Sequence, residues 1–141
     1  MTNSIETTDG ALIAELHNLW NSGDLGKIPK IYSEDFVAHM PQGWEKNEFR
    51  GRAGVEEAVL RIRNAFLDWH EQVEDMVQAP GKVVTRYVST GTHTGTFLGL
   101  APTNRTVKID EISIYHLENG LVKEQWCLTD DLSMAKQLGL I

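Results

Sequence analysis

The chain holds one cysteine, Cys127, and so can form no internal disulfide, which fits a reducing compartment. No apolar run approaches the roughly 20 residues that span a bilayer. The first ten residues carry neither a basic nor an apolar segment of the secretory kind. The cytoplasm is the expected location, with no membrane partner. Thirteen Lys and Arg stand against 20 Asp and Glu, a net charge of -7, and no basic run interrupts the pattern. A phosphate-binding face needs clustered cations, so nucleic acid is not an expected partner. His39, His70 and His116 fall at no metal-ligand spacing, and neither H-x-x-x-H nor C-x-x-C occurs. A phosphate loop and a nucleophile elbow are missing as well. Nothing in the sequence calls for a metal or a cofactor.

What is present is ordinary globular material: 41% hydrophobic and 23% charged residues over 141 positions, with no repeat or linker. One domain, residues 1–141, is expected. Ile13, Leu16 and Trp20 share a helical face with Leu12 and Leu19, which predicts a helix from Asp9 to Asn21 with Thr8 or Asp9 as its cap. His17 falls beside that face and reads as a surface or core-edge histidine. A short helix over Leu25–Tyr32 and a strand over Phe36–Met40 should follow. The loop Gln42–Arg50 carries Trp44 and Phe49, rings that either close the core or roof a cavity. Val55, Val59, Ile62, Phe66 and Trp69 predict a helix from Arg52 to Trp69.

The period then changes to strands: Glu71–Gln78, Lys82–Thr96, Thr106–Leu117 and Leu121–Thr129. Asn119-Gly120 predicts a two-residue hairpin between the last two, and Asp131–Leu138 a closing helix. Helices first and an antiparallel meander after them give an α+β fold. A strongly curved sheet wrapped around the helices leaves an open-ended cavity between the layers.

In the second of these strands, Gly91-Thr-His-Thr-Gly95 leads into Phe97-Leu-Gly-Leu-Ala-Pro-Thr-Asn-Arg105. Glycine inside a strand marks a bulge or a close backbone approach, and a bulge here would re-aim His93. With Trp126, Asp130 and Gln137-Leu138-Gly139, this stretch resembles the SnoaL-like polyketide cyclases. They belong to the cone-shaped superfamily typified by nuclear transport factor 2 and ketosteroid isomerase. The resemblance covers roughly Ile13 to Gly139 and implies that cone-shaped fold, a homodimer packed through the outer sheet face, and an apolar or polycyclic small-molecule substrate such as a polyketide ester. In the aldol cyclases of the family the acid/base is an aspartate three residues before the one matching Asp130. Cys127 stands at that position here, Ser113 at that of an active-site histidine, and Ala38 at that of a pocket asparagine.

The candidate residues each have two readings. His93 titrates close to neutrality and could transfer protons, or it could hydrogen-bond a neighbouring strand. Asp130 could enter the pocket as a general base, or cap the closing helix. Alternation puts Trp126 on one face of its strand and Cys127 on the other, so without a bulge only one lines the cavity. Cys127 lacks an adjacent cation and reads as a packed thiol. Glu111 shares a face with Val107, Ile109 and Tyr115 and is an alternative base, since burial raises a carboxyl's pKa. Arg86 lies either on a solvated face or paired inside the cavity. His39 and Trp44 complete the expected substrate-binding set.

Three functions remain open on this reading. The first is a cyclase, with Asp130 and His93 moving protons and Trp126 packing the ligand. The second is an epoxide hydrolase or isomerase, pairing Glu111 or Asp130 with Arg86. The third is a module that binds an apolar ligand without turnover.

Overall fold

A computed structural model describes residues 3–141, with side chains from Asp9 onward. Helix α1 spans Asn3–Ser22, so Asp9 lies within it and does not cap it; the side chain of Thr8 lies outside the described residues. A single 3-10 turn (Leu25–Lys27) and the short α2 (Ile28–Ile31) lead into β1 (Tyr32–His39). The loop beyond contains a short strand, β2 (Glu48–Arg50), and α3 spans Gly51–Ala65. Strands β3 (His70–Ala79), β4 (Lys82–Thr92), β5 (Thr106–Glu118) and β6 (Leu121–Thr129) precede α4 (Asp131–Gln137).

The six strands form one curved open sheet in the order β2-β1-β6-β5-β4-β3. The expected meander β3 to β6 is antiparallel throughout, and β1 adds to it by a parallel pairing with β6. Asn119 and Gly120 both take positive φ, 54° and 76°, the geometry a two-residue hairpin with the sheet's own twist requires. Strand alternation then sorts the side chains. Val83, Thr85, Tyr87 and Ser89 of β4 point inward, as do Val107, Ile109, Glu111, Ser113 and Tyr115 of β5. Ile13, Leu16 and Leu19 of α1 and Val55, Val59 and Ile62 of α3 pack over that face. Among the described residues no helix is long and apolar enough to cross a membrane.

Helix α3 stops four residues short of the expected Trp69, and the reason is local. The Ala65 carbonyl accepts the amides of Thr94 and Gly95, at 2.9 and 3.0 Å, instead of one from the next helical turn. Arg63 holds the turn that follows: its guanidinium donates to the carbonyls of Trp20 and Asn21 at the end of α1 and to those of Leu67 and Trp69. This one side chain sets the end of α1 against the start of β3.

Gly91 and Gly95 mark close approaches, and the expected bulge is not there. Gly91 pairs in regular register with Val107, and β4 ends at Thr92, whose amide donates to Asp68. A Cβ on Gly95 would collide with the Asn64 carbonyl oxygen, a backbone atom with no freedom to yield. Gly95→Ala should therefore force the loop away from α3 and destabilise the protein by at least about 1–3 kcal/mol, as overpacking does. A thermal melt unchanged by the substitution would show that the contact is not as close as described.

Candidate active site

Between the helices and the sheet lies a narrow apolar cavity with about 30 Å³ of free space. Leu16 and Trp20 of α1, Ile62 of α3, and Trp69, Met40, Trp44 and Met134 make its apolar walls. The sheet contributes Tyr87, Ile109, Glu111, Tyr115, Gln125, Cys127 and Thr129, and the start of β3 contributes Glu71. Among the described residues no Lys or Arg lines it. Two carboxyl groups therefore share an apolar chamber with no cation on its wall.

Glu111 feels this most. Burial, and after it the negative charge of Glu71, pushes its pKa up to about 8, with the nearby Cys127 thiol opposing the shift. At neutral pH it is mainly a neutral acid. The Cys127 Sγ lies 3.6 Å from Oε2, while Oε1 has no partner among the described residues. A buried polar atom without a partner is uncommon, and a ligand can supply one. Burial, then the charge of Glu111, raises the Cys127 thiol well above its ordinary value, so this cysteine is a protonated donor and a poor nucleophile. Burial likewise holds Tyr87 and Tyr115 as neutral hydroxyls. Tyr87 OH contacts Ser113 Oγ at 2.9 Å, which also accepts from Gln125 Nε2 at 3.2 Å.

Glu71 is differently placed. Trp69 Nε1–H donates to its Oε2 at 2.9 Å, and His17 Nδ1 lies 2.7 Å from its Oε1. The other nitrogen of His17 faces two hydroxyls, Thr85 at 3.0 Å and Tyr115 at 3.2 Å. His17 is thus buried at the heart of the molecule, contrary to its reading as a surface or core-edge residue.

Of the expected site residues, the cavity gathers Glu111, Cys127 and Trp44, whose indole hydrogen faces Asp131 at 3.5 Å. The others lie elsewhere. Asp130 caps α4: its carboxylate accepts the Ser133 amide at 3.0 Å, and it does not reach the cavity wall. His93 is buried in the 93–105 loop, where Nδ1 accepts the Thr103 amide at 3.2 Å and burial lowers its pKa. It pins that loop and does not line the cavity. Trp126 is on the outer face, stacked on His39 with ring centres 5.2 Å apart, and His39 bonds Glu124 there. Arg86 is exposed on the same side of the sheet as Val84 and Val88. The alternation of β6 put one of Trp126 and Cys127 inside, and it is the cysteine.

Sequence reasoning missed His17, Glu71, Trp69 and Tyr87. A histidine between Ile13, Leu16 and Trp20 was the available signal for the first. Glu71 gave none, because its partner lies 54 residues away in the chain. Among the described residues no three His, Cys, Asp or Glu converge as metal ligands would.

A curved open sheet wrapped over helices, with an apolar cavity between them, is the cone-shaped fold of nuclear transport factor 2-like proteins. Within that class the chain belongs to the SnoaL-like polyketide cyclase family, whose profile matches residues 11–138. IdmH of Streptomyces antibioticus, a proposed polyketide cyclase, superposes with a TM-score of 0.82 at 30% identity, covering 93% of this chain and 98% of its own. AclR of Streptomyces galilaeus, a proposed hydroxylase, gives a TM-score of 0.82 at 27% identity over 96% of this chain and 83% of its own. A SnoaL-like protein from Jannaschia sp. CCS1 has a TM-score of 0.87 at 19% identity, over 98% of this chain and 96% of its own, which speaks for the fold alone. No curated protein matches the chain.

Proposed function

We propose that the protein is an acid–base enzyme of the cyclase type, acting on an apolar, carbonyl-bearing small molecule such as a polyketide ester. The observation that carries this is Glu111: a buried carboxyl on the wall of an apolar cavity, its pKa raised to about 8, with one oxygen lacking a hydrogen-bond partner among the described residues. A neutral acid in such a site donates to a carbonyl oxygen and stabilises the negative charge that develops there when an adjacent carbon loses its proton. The family's acid/base position holds Cys127, and Glu111 brings a carboxyl oxygen within 3.6 Å of that thiol from the neighbouring strand. In this proposal the acid comes from β5, where the aldol cyclases use the strand of Cys127. The epoxide hydrolase alternative loses support, because Arg86 is on the outer face and Asp130 caps a helix.

2-Tetralone, an apolar bicyclic ketone with exchangeable α-hydrogens, is a suitable probe. In deuterium oxide the wild type should speed α-hydrogen exchange, read by proton NMR, and Glu111→Gln should lose ~100-fold or more of that rate. Asp130→Asn should keep it. The acid form is present below about pH 8 and is lost above it, so the rate should fall as pH rises through that value. Bound tetralone with no acceleration would favour a binding module.

We further propose that two copies pair through the outer sheet face. Ile112, Ile114, Trp126 and Leu128 form an exposed apolar strip there, Leu128 at 71%. Sedimentation velocity at micromolar concentration should give twice the 15.8 kDa chain mass, and Ile114→Lys should return the single chain. A wild-type monomer would contradict the pairing.

A further inference from the structure

Glu71 is held more firmly than a structural carboxylate needs to be. Its amide donates to Asn21 Oδ1 at 2.6 Å, and Asn21 Nδ2 donates to its carbonyl at 3.1 Å, so α1 clamps its backbone on both sides. Its two carboxylate oxygens each face a nitrogen, from His17 at 2.7 Å and from Trp69 at 2.9 Å. The side chain is only 7% exposed and lines the same cavity as Glu111. Stability alone explains this poorly, since a buried polar pair contributes no more than well-packed apolar side chains in its place. A fixed carboxylate beside a neutral carboxyl is instead the arrangement that divides a base from an acid.

We propose that Glu71 is the cavity's proton acceptor, working opposite Glu111, with His17 and Trp69 as the residues that position it. The proposal rests on the acid–base function argued above. The substrate it implies is an uncharged apolar molecule with two carbonyl groups, one of them next to an acidic C–H. Glu71 takes the proton from that carbon, and the C–H electron pair forms the enol double bond. The carbonyl π pair moves onto oxygen, which receives the Glu111 proton. The enol carbon then attacks the second carbonyl carbon; the oxygen there collects the proton from Glu71, and the first oxygen returns its proton to Glu111. One C–C bond forms, both carboxyl groups end as they began, and no co-reactant is consumed. At no stage are both carboxylates charged, which an apolar chamber without a cation would resist. The polar and titratable groups around Glu71 are His17 and Asn21 of α1, Trp69, Thr85, Tyr87 and Ser89 of β4, Glu111 and Tyr115 of β5, and Cys127 of β6.

The test is 2-tetralone exchange in deuterium oxide with wild type, Glu71→Gln, Trp69→Phe and Glu111→Gln, with folding followed by thermal melt and binding by quenching of the cavity tryptophans. Glu71→Gln should bind tetralone yet lose ~100-fold or more of the exchange rate. Trp69→Phe removes one N–H that holds the carboxylate in place. The exchange rate at saturating tetralone should fall while tetralone binding is unchanged, a split that a merely structural contact would not produce. A folded, tetralone-binding Glu71→Gln that exchanges at the wild-type rate overturns the proposal, and if only Glu111→Gln is then inactive, the acid–base reading of the cavity stands without it. Should Glu71→Gln fail to fold, a folded, tetralone-binding Trp69→Phe that exchanges at the wild-type rate overturns it equally. A wild type that binds tetralone without exchange removes the function itself, and this assignment with it.

Discussion

The pleat of β5 leaves Glu111 no way out of the interior. Successive side chains of a strand alternate between faces, and position 111 shares its parity with Val107, Ile109, Ser113 and Tyr115, all buried. The strand cannot turn this one carboxyl toward water without turning the core residues out with it. The group is therefore desolvated beside Glu71 and without a cation, and its proton becomes hard to remove. Acid chemistry at neutral pH follows from that confinement.

The rest of the molecule makes the confinement durable. Arg63 draws the carbonyl end of α1 and the turn after α3 together, which sets Trp69 and Glu71 at the cavity's inner end. The 93–105 loop is locked to the end of α3 through Gly95 and braced by His93 on Thr103. Their role is to hold helices and sheet at a fixed separation, which keeps the chamber present.

Much of the fold was legible because it rests on period. The faces of α1 and α3, the four-strand meander and the Asn119-Gly120 hairpin all follow from spacing and turn chemistry. Glu111 could be singled out as an inward carboxyl for the same reason. Alternation also showed that Trp126 and Cys127 must part company, though not which goes inward, since β6 is apolar on both faces. His17 and Glu71 were beyond reach because the pairing is made by tertiary contact between α1 and β3. His93 misled in a different way. Its flanking glycines do signal a special backbone, but the special feature is contact with α3, and the imidazole bonds the loop through Nδ1. Asp130 had two roles open to it, and the short helix after it took the cap.

The central claim is that a neutral carboxyl sits in the cavity at physiological pH. The most direct measurement is a carbon-13 NMR titration of the Glu side-chain carboxyls, with Glu111 assigned by the signal missing from Glu111→Gln. A midpoint near 8 is the expected result. A midpoint in the ordinary carboxylate range, near the reference value of 4.5, would contradict the account.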